Sequence, residues 1–278
     1  MPPFTELLPF YLAMAAITLC WLPRGWWPSW MLFLAALLLA YGSWISLVGL
    51  LWIIGTGLAF AAAARGWGHP AVAKLVALIV GVPLLLYHSL DVPGLTPLPV
   101  LSGYQVSEDA DPFSLLLDFG PAAVGFLYAR FFITPPTRAA LKPMLVWVAG
   151  LTLALAAVLI TLGLGLDYVE WDPKWPWFLL IWIAHNLLLV SVPEEAVFRG
   201  LLQSSLRPIG TWGALMLASL LFGLYHINFG LANVGLAAVA GLFFGYAYLR
   251  TARIEAAILL HFFVNAIHLL LFTYPRLA

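Results

Sequence analysis

The chain has 278 residues, of which 64% are hydrophobic and 9% charged, and its 12 basic and 12 acidic side chains balance to zero net charge. Soluble domains carry about a quarter charged residues, so a water-soluble globule is excluded, and no basic tract offers a footing for nucleic acid. The single cysteine, Cys20 in the first apolar run, excludes an intramolecular disulfide and a cysteine-rich metal cluster.

Repeated apolar runs of about 18 residues or more point to membrane-spanning helices, because a lipid-exposed backbone must satisfy its own hydrogen bonds. In chain order the expected spans are roughly 5–22, 27–41, 44–64, 70–89, 113–133, 143–166, 176–206, 211–229, 231–249 and 254–274, with boundaries good to a few residues. The expected fold is an all-α polytopic membrane protein of about ten transmembrane helices. The opening MPPFTELLPF lacks the basic region of a cleavable signal, so the first helix is expected to be retained. Tryptophans near span ends, in RGWWPSW and EWDPKWPW, read as interfacial anchors. The Pro- and Gly-rich connection 91–114 reads as an external spacer, with an ordered lid as the alternative.

The connections alternate in charge. Arg24, Arg65, Lys74, Arg130, Arg138, Lys142, Arg207, Arg250 and Arg253 fall in or beside alternate connections, and Asp91, Glu108, Asp109, Asp111, Asp167, Glu170 and Asp172 fall in the others. By the positive-inside rule the basic set is cytoplasmic and both termini lie outside. Lys174 and Arg276 depart from that pattern.

Ionisable residues at membrane depth are costly and mark function, and they gather in the last four spans. The seventh carries Glu194, Glu195 and Arg199, the eighth His226, and the tenth His261 and Asn265. Glu195 and Arg199 are four apart and share a face of an α-helix, as do His261 and Asn265. Glu194 points about 100° away from Glu195, which leaves its carboxylate free of that arginine. Phe222, one turn before His226, is placed to pack beneath the imidazole. At about 1.5 Å per residue, Glu194, His226 and Asn265 lie about 16–22 Å from the cytoplasmic ends of their helices, at similar heights. Pro193 removes one donor and frees the carbonyl of Leu189, which predicts a kink beside the acidic pair.

Hydrolysis of a peptide bond needs a water, a base for its proton and donors for the developing oxyanion. Glu194 with His226 suits the first two tasks, His261 with Asn265 the third, and Glu195 held by Arg199 supports the helix. Glu194, His226 and His261 also make a common catalytic zinc set, and a buried polar network that only fixes helix packing uses the same groups. His185 projects away from Glu194 and reads as a core histidine. His268 shares the face of His261 nearer the outer surface, and Asn228 and Asn233 read as helix caps.

The three segments Glu-Glu-x-x-x-Arg (194–199), Phe-x-x-x-His (222–226) and His-x-x-x-Asn (261–265), in this order on separate helices, resemble the CPBP family of CAAX prenyl endopeptidases and bacterial Abi-type intramembrane proteases. The resemblance covers about 176–270. It implies an intramembrane endopeptidase with a conical bundle of catalytic helices around a cavity in the C-terminal half, a core of 143–278 following N-terminal helices (1–133) of unassigned role. It further implies Glu194 as the water-activating glutamate, His226 as its partner, His261 and Asn265 as the oxyanion pair, and Glu195, Arg199 and Phe222 in support. The family is described as glutamate-dependent, which favours a metal-free, cofactor-free mechanism over zinc. A bacterial cytoplasmic membrane, and a membrane-associated peptide or protein as substrate, are the corresponding expectations. The alternatives are a non-catalytic scaffold or immunity protein and, disfavoured by the lack of repeat symmetry, a transporter.

Overall fold

The structure, a computed structural model, describes every residue except 23–25, 86–91 and 135–137, and gives the backbone alone at Pro70 and 138–140. Arg24 and Asp91 of the charge pattern, and the side chain of Arg138, therefore lie outside the described residues. Among the described residues ten helices follow in chain order: α1 (Phe4–Leu19), α2 (Trp26–Ala40), α3 (Leu47–Arg65), α4 (Pro70–Leu85), α5 (Phe119–Phe132), α6 (Arg138–Gly165), α7 (Leu179–Gln203), α8 (Thr211–Tyr225), α9 (Leu231–Thr251) and α10 (Ile254–Leu271). Strands β1 (Leu98–Tyr104) and β2 (Phe113–Leu117) pair as a two-stranded sheet between α4 and α5. The all-α membrane architecture is as expected. Among the described residues five helices suffice by length and composition to cross a membrane, namely α3, α7, α9, α10 and, over Leu141–Gly165, α6, while α1, α2, α4 and α8 are shorter apolar helices.

One expected span changes character. The run from 113 to 133 is not a single helix: residues 113–117 form β2, Asp118 breaks the run, and α5 begins at Phe119. A short apolar strand and the start of an apolar helix have the same composition, so hydropathy merges them.

The chain forms two compact units that interleave along the sequence: 1–100, 116–136 and 188–197 make the first, and 101–115, 137–187 and 198–278 the second. In the first unit α5 is the central element, packed by α1, α3, α4 and the Val192–Glu195 turn of α7. Every residue from Phe119 to Ala129 is buried. The sequence FGPAAVG explains this, because small residues let neighbouring backbones close in. A Cβ on Gly120 would lie 2.5 Å from the carbonyl oxygen of Leu84, and one on Gly125 would lie 3.3 Å from Val192. Asp118 caps α5, its Oδ1 accepting from the Gly120 amide at 2.5 Å. Around this helix Phe33 stacks on Phe126 at 4.0 Å and Phe10 meets Phe119 at 4.7 Å.

In the second unit α8 packs along α9, α9 along α10, and α6 covers both α9 and α10. The close approach of α8 and α9 again depends on glycine. A Cβ on Gly223 would meet the Val234 carbonyl oxygen at 2.6 Å, and one on Gly245 would meet Leu215 at 2.4 Å. Over an 18-residue apolar window α6 is only 11% buried, which suits a lipid-facing wall, whereas the corresponding window of α7 is 67% buried.

In the connection expected as a spacer, the 101–115 part is fastened to the C-terminal segment. Arg276 Nε donates to Asp111 Oδ2 at 2.7 Å, and the Tyr274 amide donates to Ser107 Oγ at 3.0 Å. The 168–174 segment joins the same layer. The Leu277 amide donates to the Tyr168 carbonyl at 3.0 Å, and Lys174 Nζ lies 3.1 Å from Asp172 Oδ2. This gives Lys174 and Arg276 their reason for departing from the charge pattern: each neutralises an acid of that layer. The Asp172 carboxyl, which burial alone would raise, is held below its ordinary range by hydrogen bonds from Ser107 and Lys174 and by the lysine's charge.

Candidate active site

Helix α7 carries the first motif, and its winding is unusual. Leu179–His185 is α-helical, Asn186–Ser191 is π-helical, Val192–Glu195 returns to α, and Ala196–Gln203 is π-helical again. Pro193 has no N–H for the carbonyl of Leu189. Wide π turns lie on both sides of the acidic pair, a winding frequent at functional sites.

Glu194 and Glu195 belong to the first unit. They are buried, at 8% and 0% exposure, on the 188–197 segment that packs against α5. Gly125 of α5 provides the room, lying where a side chain would press on Val192 and on the Leu188 carbonyl.

The second unit brings together residues of all three motifs. Arg199 is fully buried. Its guanidinium sits 4.4 Å from the ring centre of Phe222 and 5.3 Å from that of Phe244, and Nη2 donates to the Gly241 carbonyl at 3.0 Å. A desolvated cation over aromatic faces gains about 2 kcal/mol or more. His261 stacks on the same Phe244, with centroids 4.7 Å apart and planes 16° apart, and presents its ring to Phe222 edge-on at 5.9 Å. His226 meets Phe222 at 4.8 Å. Phe222 therefore does more than support one imidazole: it touches Arg199, His226 and His261, one residue from each motif.

His226 lies just past the end of α8, as its C-cap, rather than within the helix. Its Nδ1 is 2.9 Å from the Phe222 carbonyl oxygen. That oxygen only accepts, so Nδ1 carries the proton, and in the neutral ring Nε2 keeps its lone pair as an acceptor or base. Asn265 lies four residues beyond His261 on α10 and donates from Nδ2 to Asn186 Oδ1 at 3.4 Å.

Several contributors were not read from the sequence. Phe244 and the Gly241 carbonyl hold Arg199, Gln203 Nε2 donates to the Gly245 carbonyl at 3.3 Å, and Asn186 receives Asn265. The signal for Phe244 and for the Gly241 and Gly245 carbonyls was GLFFG (241–245), a Gly-x-x-x-Gly pattern that marks close helix approach. Asn186 had no such signal.

His185 is a buried core residue, as expected. His268 Nε2 faces the Thr273 carbonyl at 3.2 Å, so this ring serves the C-terminal segment. Asn233 does not cap α9, whose N-cap Gly230 has no side-chain bond; it donates to the Tyr168 hydroxyl at 2.7 Å instead. Asn228 lies in the short 3₁₀ turn between α8 and α9. Among the described residues, no group of three or more His, Cys, Asp or Glu side chains has the arrangement of a metal site.

Residues 175–267 match the family model of Rce1-like type II CAAX prenyl endopeptidases. The match takes in all three motifs and bears out the resemblance read from them, over one third of the chain. The matched family is one of CAAX-type intramembrane proteases. No curated protein and no solved structure matches the chain.

Proposed function

We propose that the protein is a glutamate-dependent, metal-free intramembrane endopeptidase acting on a membrane-associated peptide or protein. The observation that carries this reading is the buried stack of Arg199, Phe222, Phe244 and His261, with His226 against it, inside the segment that matches the protease family. A column of rings and one guanidinium linking three motif segments is what a reaction with strict geometry requires. A packing network alone has no need of two imidazoles against one phenylalanine ring.

Each residue has a role in this reading. Glu194 takes a proton from water while His226 Nε2 accepts that water's second hydrogen bond and orients it. The water oxygen attacks the scissile carbonyl carbon, and the oxyanion so formed accepts hydrogen bonds from His261 and Asn265. The carbon–nitrogen bond then breaks, and the leaving nitrogen takes the proton from Glu194. Arg199 supplies a fixed positive charge on the Phe222 ring that His226 and His261 also touch, and Glu195 steadies the helix. The residues act in the bilayer, on a substrate that reaches them from the membrane.

The test uses purified full-length protein in bilayers with a membrane-anchored model peptide, followed by mass spectrometry in H₂¹⁸O with and without a chelator. One ¹⁸O atom in the new carboxylate and rates unchanged by chelator are the expected results. Activity lost with chelator and restored by zinc would establish the zinc reading, with Glu194, His226 and His261 as ligands. Intact peptide under all conditions, with the protein folded, would favour a scaffold or immunity role.

A further inference from the structure

At the turn from α9 to α10 the second unit has a cavity away from the three motifs. It is lined by Pro143, Met144 and Trp147 of α6 and by Arg250, Thr251 and Arg253, and its volume is about 200 Å³. We propose that this cavity binds the phosphodiester headgroup of an anionic phospholipid.

Its chemistry is divided. Pro143, the buried Met144 and the half-buried Trp147 ring form an apolar wall on a helix whose outer face is exposed. The polar side carries two guanidiniums in different states. Arg253 is already neutralised, with Nη2 2.5 Å from Glu255 Oε1 and Nε 3.0 Å from Oε2. Arg250 is exposed, its guanidinium laid over Trp147 at 4.8 Å from the ring centre, and among the described residues no carboxylate pairs with it. The cavity thus offers one net positive charge, presented by a planar fork that matches phosphate oxygens. Trp147 in turn meets Tyr246 edge-on at 6.2 Å, so the arginine rests on a supported ring.

Size and position narrow the ligand. Pockets enclosing drug-sized molecules run to about 300–1,000 Å³, so this one accepts a headgroup and leaves acyl chains outside, along α6. Arg250, Arg253 and the neighbouring Lys142 belong to the set that the positive-inside rule assigns to the cytoplasmic side. That leaflet carries the anionic lipids, and basic pockets between membrane helices are where their headgroups bind. A monoanionic phosphodiester balances the single charge and keeps its glycerol against the tryptophan.

Native mass spectrometry of the full-length protein from bilayers of equal phosphatidylglycerol and phosphatidylcholine tests this directly. The wild type is expected to retain phosphatidylglycerol preferentially, and Arg250→Ala to lose that preference about fivefold, the share of one basic side chain at a membrane surface. Arg250→Lys should keep part of it, because the charge remains without the fork. Soluble glycerol phosphate in excess should not displace the lipid; displacement would make the site one for free phosphate and overturn the lipid assignment. Equal retention of both lipids by the wild type overturns the proposal whatever the variants do. So does an Arg250→Ala protein with unchanged melting temperature and undiminished preference.

Discussion

Two interior helices, α5 and α7, are built of opposite materials. From Phe119 to Ala129 α5 is buried throughout, and that stretch contains only small, aliphatic and aromatic residues. Helix α7 is also largely buried, yet it takes His185, Asn186, Ser191, Glu194, Glu195, Arg199 and Gln203 out of solvent. Burying an ionised group costs several kcal/mol even after relaxation, a cost the Phe119–Ala129 stretch does not meet. Burial by itself marks a core. Buried charge on π-wound backbone, supported by aromatic rings, is what the proposed chemistry asks of a helix, at a cost in stability.

The comparison is broken most severely at Arg199. Arg199→Met removes a cation held over two rings and its bond to the Gly241 carbonyl, and should cost about 3–5 kcal/mol of stability. Chemical denaturation in detergent reads that loss, and a shift below about 1 kcal/mol would show that the stack contributes little. The matching change in α5 is Gly120→Ala, whose new Cβ would stand 2.5 Å from a backbone carbonyl that has no flexible end to move. A loss of about 1–3 kcal/mol is expected from overpacking, with activity per folded molecule unchanged. If cleavage falls more than stability does, α5 is part of the chemistry and the contrast fails.

The smallest effect lies outside the membrane helices, at Asp172. Its carboxyl is held below the ordinary value, so it contributes stability that is present above the unfolded value of 3.8 and lost as the pH falls through the lower, folded value. The side chain is 39% exposed, which limits the contribution to a fraction of about 1 kcal/mol. Asp172→Asn should therefore lower the melting temperature slightly at pH 7, and the difference from wild type should vanish in strong acid. A difference that grows on acidification would contradict the sign.

What could be read in the sequence follows the same division. Long apolar runs revealed the helices, because lipid leaves few alternatives for a backbone. The three motifs also stood out, because charge is rare in such a chain. The strand at 113–117 was hidden because FSLLL is as apolar as the helix after it. The π winding of α7 was hidden because it is a change in hydrogen-bond register, and Pro193 signals only that the α register is disturbed. Asn186 was hidden for a third reason: an amide among apolar neighbours carries no phase, and its partner Asn265 is 79 residues away. Phe244 was legible in principle, since the glycines flanking it bring α9 close to α8 and to Gln203 of α7.

The central claim is that Glu194 is the base. The most direct measurement is the cleavage rate of Glu194→Gln against wild type, on the same membrane-anchored peptide and at matched folded fractions. Loss of a general base predicts a rate about 10²- to 10⁴-fold lower, with the melting temperature held. A folded Glu194→Gln protein that cleaves at the wild-type rate would contradict it.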